Sequence, residues 1–319
     1  MKRDETLFRT KVEIPGWGTP MEVADHSLFL GSCFAQEIGG RFQDYGLASF
    51  SNMLGVLYNP ESIASQILQS LGQEGTEPPV FRAAEGWRSW WAATCLQSST
   101  REGCVSMVRQ ALDRQGRELK RADWLFLTLG SNVCYALRQT GETVANCHRQ
   151  PQSMFEEKSL GVAECVDVLS RALESLHGLN PSCRMVFTVS PYRYAKYTYH
   201  GSRIAKATLL LAVEELCRSY PAYVGYFPAY EIVLDELRDY RFYDTDMLHP
   251  SQQAVDYVWL CLQQAAMSVT MRQYLEEYEP IRRGLAHRPA NPDAGEYKAF
   301  MCKLEERRKL IRRKYKLEC

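Results

Sequence analysis

The sequence predicts an α/β fold of three layers, in which helices cover both faces of a mainly parallel sheet. Three segments, residues 26–32, 122–132 and 183–191, are short and apolar, and each ends at a small polar group. Continuous apolar runs of this length are typical of parallel strands that are buried on both faces. Helix-patterned stretches lie between the segments, and this alternation indicates a parallel sheet with right-handed crossovers.

The first predicted strand leads directly into a helix. After "HSLFLGS" (residues 26–32), apolar side chains recur with the spacing of one helix face, at Phe34, Ile38, Phe42 and Tyr45. Ser32 and Cys33, two potential nucleophiles, therefore lie at a strand-to-helix junction.

Similar patterns predict further helices and a fourth strand. Apolar periodicity predicts helices over residues 159–181, 201–221 and 251–265, and residues 223–232 are predicted as a strand. In open α/β sheets, ligands bind beyond the carboxyl ends of the strands. A site is therefore expected where the first three strands end, at Ser32, Asn132 and Ser190.

Residues 80–95 depart from the alternating pattern. They contain Trp87, Trp90 and Trp91 and predict a small antiparallel hairpin inserted into the domain. The hairpin is interpreted as a local core plug, or alternatively as a wall of a substrate pocket.

The C-terminal tail is basic. Residues 281–319 hold twelve Lys and Arg against five Asp and Glu, so the tail carries +7 in a chain of zero net charge. One stripe of a predicted helix is formed by Phe300, Leu304, Ile311 and Tyr315. We expect this helix to dock on the domain or on a second subunit; binding of an acidic partner is the alternative. The predicted division is a domain over residues 1–275 and a helical extension over residues 276–319.

Composition and charge argue against several classes of function. Lys plus Arg and Asp plus Glu both number 38, so no overall charge indicates binding to nucleic acid or to a membrane. The N-terminal segment is charged and lacks the apolar core of a signal peptide, so a cytoplasmic location is expected. The eleven cysteines include no C-x-x-C pair and the six histidines no metal-binding spacing, which argues against a metal site.

A serine nucleophile needs a base, and the chain offers one arrangement of that kind. In "YDTDMLHPS", Asp246 lies three residues before His249, so its carboxylate can hold the imidazole while the other ring nitrogen faces a serine. Asp244 is the competing carboxylate. At a helix N-terminus, Ser32 has its own N–H and the helix dipole aimed at an oxyanion, although it is alternatively an ordinary N-cap. No G-x-S-x-G elbow is present.

The chain order, with the serine early and Asp-x-x-His late, resembles that of the SGNH/GDSL hydrolases. "LGSCFA" (residues 30–35) is similar to the signature of the GSCFA family, considered a relative of those hydrolases. Further segments resemble that family: "LYNPESI" (57–63), "ANCHRQP" (145–151), "TVSPYR" (188–193) and "YFPAYEIVLDELRDYRFYDTDMLHPS" (226–251). The resemblance spans about residues 25–265 and implies an SGNH-hydrolase-like, flavodoxin-like fold. It makes Ser32 the nucleophile and matches Asp246 and His249 to the Asp-x-x-His pair.

The resemblance also implies roles for other residues. For the oxyanion hole, Asn132 of "LGSN" is similar to the hydrolases' asparagine, Asn146 is the rival donor, and Gly55 matches the second-block glycine. His148 and Arg193 are candidates for substrate contacts. Their alternative role is a structural hydrogen-bond network under the loops.

The leading hypothesis is a serine hydrolase that removes an acyl or acetyl group from a small-molecule or carbohydrate-like ester. Ser32 and Gly55 N–H groups, with Asn132 or Asn146, would hold the oxyanion, and no cofactor is implied. An acyltransferase using the same acyl-enzyme is an alternative, because a second alcohol could replace water. A binding module without the reaction is another. A thiol version makes Cys33 the nucleophile, although Cys33 is expected to point away from Ser32.

Overall fold

A parallel sheet forms the centre of the protein in the computed structural model, which describes residues 10–75, 77–289 and 295–317. The strands, in chain order, are β1 Ser27–Gly31, β2 Ser49–Ser51, β3 Val80–Ala83, β4 Gly86–Ser89, β5 Gln97–Ser98, β6 Trp124–Leu129, β7 Val133–Leu137, β8 Thr143–Val144, β9 Phe155–Ser159, β10 Arg184–Val189 and β11 Val224–Tyr226. The helices are α1 Cys33–Asp44, α2 Pro60–Ser70, α3 Arg101–Arg121, α4 Val162–Leu179, α5 Thr198–Ser219, α6 Ala229–Glu231 with a π-helix over Ile232–Leu237, α7 Gln252–Ala266, α8 Val269–Ala286 and α9 Gly295–Lys314. The prediction about the N-terminal segment falls largely on residues 1–9, which lie outside the described residues.

The central sheet orders its five strands β11-β10-β6-β1-β2 within the described ranges, and all pair in parallel. The three apolar segments predicted as strands are confirmed as β1, β6 and β10. Thr128 pairs with Gly31 on one side and with Thr188 on the other, so these strands end side by side. The residues beyond them, including Ser32 and Ser190, therefore share one edge of the sheet.

The two outer strands differ from the prediction. β11 covers only residues 224–226; the Phe227 N–H still donates to Phe187 O (2.8 Å), but Pro228 has no N–H and the chain turns into α6. β2 was not predicted, because three residues without a long apolar run leave no clear pattern.

Side chains of the central strands alternate between two hydrophobic cores. In β1, Phe29 packs with residues of α1, α7 and α8, whereas Leu28 and Leu30 pack with residues of α2, α4 and α5. All three are at most 1% exposed. Burial on both faces explains the uninterrupted apolar run and confirms the three-layer α/β/α arrangement.

The four helices predicted beside these strands are confirmed as α1, α4, α5 and α7, with shifts of a few residues at their ends. Ser251 is the N-cap of α7 and accepts a hydrogen bond from Ala254 N–H (3.3 Å). Within the described residues, none of the helices combines the length and the apolar character needed to cross a membrane.

The Trp-rich insert folds as a small core of its own. β3 and β4 form the predicted antiparallel hairpin, and β5 adds a third strand. Trp90 stacks on Phe81 with ring centroids 3.7 Å apart and meets Phe155 edge-on at 5.8 Å. These contacts support the core-plug interpretation.

The basic tail packs against the α/β domain. The boundary predicted at residue 275 falls inside α8, because Tyr274, Tyr278 and Ile281 continue one buried face along that helix. Helix α9 lies against α8, and Leu304 and Ile311 of the predicted stripe are buried in the same core. The tail therefore docks on the domain of its own chain, which is one of the two docking arrangements expected from the sequence.

Gly31 allows β1 to end in close contact with β6. Its φ is +134°, and a Cβ at this position would lie 2.2 Å from Thr128 O. We expect Gly31→Ala to lower the free energy of unfolding by about 3–5 kcal/mol in urea denaturation, because a strained φ adds to a clash with backbone. Gly40→Ala in α1 is the matched control, since nothing lies within 4 Å of its Cβ position; it should stabilise by up to about 1 kcal/mol. Equal losses in both variants would contradict this account.

Candidate functional site

Ser32 lies at the end of β1 and is the N-cap of α1. Its Oγ accepts a hydrogen bond from Phe34 N–H (3.2 Å), so the capping interpretation is confirmed. The same residue lines a cavity of about 460 Å³. Its own N–H donates to Thr128 O (3.0 Å) and is therefore used by the sheet. The expectation that this N–H is available to an oxyanion is wrong.

His249 lines the same cavity as Ser32. Ser32 reaches it from the end of β1, and His249 from the loop that precedes α7. Tyr58, Tyr192 and Tyr194 form an aromatic wall, and the Tyr192 and His249 ring centroids are 4.3 Å apart. In the described part of the chain, no hydrogen bond joins Ser32 Oγ to His249, although both residues line one cavity.

Asp246 holds the ring of His249. Its Oδ2 lies 2.5 Å from His249 Nδ1, and its Oδ1 accepts the N–H groups of Leu248 (2.8 Å) and His249 (2.9 Å). These hydrogen bonds, led by the one from the His249 N–H, lower the pKa of the Asp246 carboxyl to about 2. An ionised carboxylate on Nδ1 keeps the proton there and leaves Nε2 as the nitrogen that can accept one.

Asp244, the competing carboxylate, also lines the cavity but does not contact the imidazole. Its Oδ1 accepts the N–H of Thr245 (2.7 Å), and its own N–H donates to His249 O (2.8 Å). Asp244 thus shapes the loop, and Asp246 orients the ring.

Gly55 and Asn132, predicted for an oxyanion hole, are used in holding loops. Gly55 N–H donates to Asn52 O (2.7 Å), and Asn132 Nδ2 donates to Leu160 O (2.7 Å). Neither residue is among those that line the Ser32 cavity. The structure therefore places both away from the position their sequence context suggests.

Asn146, the rival donor, lines a different cavity of about 380 Å³. That cavity and the Ser32 cavity share Tyr58 and Tyr194, which stand between them as a common wall. Asn146 Oδ1 accepts the N–H of His148 (2.7 Å). Asn146 is thus separated from Ser32 by two tyrosine side chains.

Two donors near Ser32 were missed in the sequence. Asn52 Oδ1 accepts Gly31 N–H (2.9 Å), while its Nδ2 is buried and has no acceptor among the described residues. Cys33 is the first residue of α1, and its backbone N–H donates to no oxygen among the described residues. Asn52 directly follows β2, and because β2 has no clear pattern, nothing in the sequence marked this asparagine.

His148 lies in a buried hydrogen-bond network, which is the structural role given as its alternative. The ring is 2% exposed, with Nε2 2.9 Å from Ser89 O and Nδ1 3.2 Å from Thr94 Oγ1. Burial lowers the pKa of His148, which favours the neutral ring; Nε2–H can then donate to Ser89 O while Nδ1 accepts from the Thr94 hydroxyl. Within the described residues, no group of three or more His, Cys, Asp or Glu is arranged to hold a metal ion.

Arg193 lies beside the candidate site. Its N–H donates to Leu248 O (3.1 Å), next to His249, and its side chain lines a neighbouring cleft. The substrate-contact prediction for Arg193 stays open.

Cys33 lines the Ser32 cavity, so the expectation that it points away from Ser32 is wrong. Burial, together with the negative charge of Glu37, raises the pKa of its thiol. A raised pKa disfavours the thiolate, which is the reactive form. The raised pKa therefore argues against a Cys33 thiolate, although Cys33 is the more exposed of the two residues.

A buried lysine joins two strand ends beneath the aromatic wall. Lys206 Nζ donates to Gly130 O (2.5 Å) and Ser190 O (2.7 Å), beyond β6 and β10. Its ammonium lies 5.3 Å from the centroid of the Tyr194 ring. Burial, with a smaller contribution from the positive Arg193, lowers the pKa of Lys206 to about 7. Lys206 thus positions the strand ends and the tyrosine that line the cavity.

A protein-family comparison completes these observations. The model described as the GSCFA family matches residues 27–262, which include Ser32, Asp246 and His249. A search of curated proteins finds no match for the chain.

Proposed function

Because this chain belongs to the GSCFA family, we propose that it is a serine hydrolase of the SGNH type that cleaves an acyl or acetyl ester. The observation that carries the proposal is the shared cavity of Ser32 and His249, with Asp246 on the far nitrogen of the imidazole. A nucleophile, a base and a group that orients the base are the parts that acyl transfer requires. That the GSCFA family is related to the SGNH/GDSL hydrolases is part of what we propose.

In the proposed reaction, Ser32 Oγ attacks the ester carbonyl while His249 Nε2 takes the hydroxyl proton. Asp246 stabilises the imidazolium without accepting its proton. Collapse of the tetrahedral intermediate breaks the ester bond, and His249 gives the proton to the leaving alcohol. Water then repeats the sequence on the acyl-enzyme, releasing a carboxylic acid and free Ser32.

The N-terminus of α1 is proposed to stabilise the negative charge of the intermediate. Cys33 N–H donates to no oxygen in the described ranges, although its own thiol accepts from it, and it lies at the positive end of the helix dipole. Asn52 Oδ1 accepts the Gly31 N–H, and its Nδ2 has no acceptor among the described residues; Asn52 is not among the residues that line the cavity, so this Nδ2 is a candidate second donor only from behind the cavity wall. These two groups replace Gly55, Asn132 and Asn146 in the proposal.

Acyl transfer is a second candidate, favoured by the cavity that adjoins the Ser32 cavity across Tyr58 and Tyr194. This space of about 380 Å³ could hold the body of an acceptor alcohol, whose hydroxyl would have to pass Tyr58 and Tyr194 to replace water at Ser32. Analysis of products with and without an added alcohol separates the two reactions, since only transfer yields a new ester.

A fluorophosphonate probe tests the proposal, because an activated Ser32 Oγ would form a bond to phosphorus and expel fluoride. We expect the wild type and Cys33→Ala to be labelled, and Ser32→Ala and His249→Ala to lose labelling at least 100-fold. Loss of the N-cap in Ser32→Ala should cost about 1 kcal/mol, so folding is checked by circular dichroism. A folded wild type that is not labelled, or a Ser32→Ala variant that is, would overturn the proposal.

A further inference from the structure

A second, larger cleft lies next to the Ser32 cavity. It has a volume of about 760 Å³, and its wall includes the π-helix that follows α6. The two spaces share no lining residue, but residues that are adjacent or nearly adjacent in the chain line one space and the other. Tyr192, Asp244 and His249 line the Ser32 cavity, whereas Arg193, Tyr243 and Met247 line the cleft.

Three arginines give the cleft a positive charge. Arg193, Arg203 and Arg238 line it, and none forms a salt bridge with a carboxylate in the described part of the chain. Two acids, Asp235 and Asp239, also contribute to the wall. Asp239 lies 3.9 Å from Arg241 Nε, which stands outside the lining, so its charge is partly balanced. The lining therefore holds three arginines against two acids, one of which lies near Arg241.

Tyrosines place aromatic rings and hydroxyl groups beside these arginines. Tyr199, Tyr230 and Tyr243 line the cleft, and the Arg193 guanidinium lies 5.8 Å from the Tyr199 ring centroid. Burial raises the pKa of the Tyr230 and Tyr243 phenols, and the positive charges of Arg193 and Arg203 counteract that rise at both. Arg193 and Arg203 thus act on the same two phenols and face a common space.

Guanidinium groups bind phosphate oxygens through paired hydrogen bonds, and tyrosine rings stack on planar or sugar rings. A volume of about 760 Å³ is too large for a single ion and is within the range of pockets for small organic ligands. In the described part of the chain the arginines have no carboxylate partner, and Arg193 is hydrogen-bonded to Tyr243, so an anionic occupant fits the cleft; the tyrosines favour one that also carries a ring.

We propose that the cleft binds an organic phosphate of about nucleotide size, with its phosphate on Arg193 and Arg203 and its ring against the tyrosines. The binding site stands independently of any reaction at Ser32. Its part in catalysis rests on the proposed function: a phosphate-bearing substrate seated in the cleft would extend its ester toward the adjacent Ser32 cavity. Arg193 connects the cleft to the Ser32 cavity, because its backbone N–H donates to Leu248 O, next to His249.

Isothermal titration calorimetry with ADP tests the site on the full chain. We expect ADP to bind the wild type with a Kd below about 1 mM, and Arg193→Ala and Arg203→Ala each to weaken binding about tenfold or more. Arg218→Ala is the matched control, because Arg218 lies on α5 like Arg203 but pairs with Glu214 (3.1 Å) away from the cleft. Its affinity for ADP should equal that of the wild type.

Further ligands distinguish the sources of binding. Adenosine should bind at least tenfold more weakly than ADP, and pyrophosphate should bind in an Arg203-dependent manner. No binding of ADP or pyrophosphate at millimolar concentration, or equal ADP affinity in all variants, would overturn the proposal. Arginine-dependent binding of glucuronate without binding of ADP would also overturn it and assign the cleft to a carboxylate.

Fluorophosphonate labelling of the same samples separates this inference from the proposed function. Arg218→Ala should be labelled like the wild type, since Arg218 lines neither the cleft nor the Ser32 cavity. Arginine-dependent ADP binding by an unlabelled wild type would leave the cleft assignment intact while the hydrolase proposal fails. The reverse result would overturn only the cleft assignment.

Discussion

Asp246→Asn is expected to lower the rate of fluorophosphonate labelling and of p-nitrophenyl acetate hydrolysis by about 10²- to 10⁴-fold. The asparagine can still accept the N–H groups of Leu248 and His249, so the loop should keep its shape. It cannot supply the charge that holds the proton on His249 Nδ1. The imidazole then loses both its preferred tautomer and the stabilisation of its protonated form.

Asp244→Asn is the matched control for this prediction. Asp244 lines the same cavity two residues away, but its carboxylate does not contact the ring. We expect the rates of labelling and of ester hydrolysis in Asp244→Asn to stay within about threefold of the wild type, because Asp244 does not contact His249. Similar losses in both variants would mean that the loop, rather than the Asp246 charge, determines the rate.

The pKa of Asp246 determines how low the pH can fall before this carboxylate loses its charge. Its folded pKa of about 2 lies below the ordinary value of 3.8. Its contribution to folding is therefore fully present above about pH 4 and is lost only as the pH falls through about 2. The orienting carboxylate thus stays charged across the pH range in which the labelling is measured.

Lys206 is expected to make the protein more stable as the pH rises from 6.5 to 8.5. Its folded pKa of about 7 lies well below the ordinary value of 10.5, so the unfolded chain binds more protons between these two values. Stability therefore rises with pH through that interval, and the penalty for burying the ammonium is greatest below about pH 7. The contribution amounts to about 2 kcal/mol between pH 6.5 and 8.5.

Urea denaturation of the wild type and Lys206→Gln at both pH values measures this contribution. The glutamine keeps an N–H donor for the carbonyls of Gly130 and Ser190 but does not titrate. We expect the difference in unfolding free energy between the two proteins to grow by about 2 kcal/mol in favour of the wild type as the pH rises. Lys120→Met, at an exposed position of α3, should show no such change. A pH-independent difference would show that the Lys206 ammonium is not penalised by burial.

Much of the fold was predictable because its signals are local. The central strands are buried on both faces, so β1, β6 and β10 appear as continuous apolar runs, and the helices beside them show one apolar face each. β2 and the π-helix after α6 have no such pattern. β2 has only three residues and is a strand because it pairs with β1, which its own sequence does not show. β11 ends early because Pro228 has no N–H to continue the hydrogen bonds of the sheet.

Parts of the candidate site were predictable for the same reason. Asp246 and His249 lie three residues apart, so a single turn brings the carboxylate to the ring whatever surrounds it. Ser32 follows an apolar strand and precedes a helix, which places it at a sheet edge. The proposed oxyanion donors were not predictable, because an N–H group is available to a substrate only if no loop carbonyl accepts from it. That condition separates Cys33 from Gly55 and Asn132.

By itself, the sequence determined the α/β class, the three central strands, the capping of α1 by Ser32 and the pairing of Asp246 with His249. Each of these depends on residues close together in the chain. Only the tertiary structure decided that Ser32 and His249 share one cavity, that His148 is buried against Phe81 and Trp90, and that three arginines meet in the neighbouring cleft. These outcomes depend on strand order and loop packing, which join residues far apart in the chain and leave no periodic signal in it.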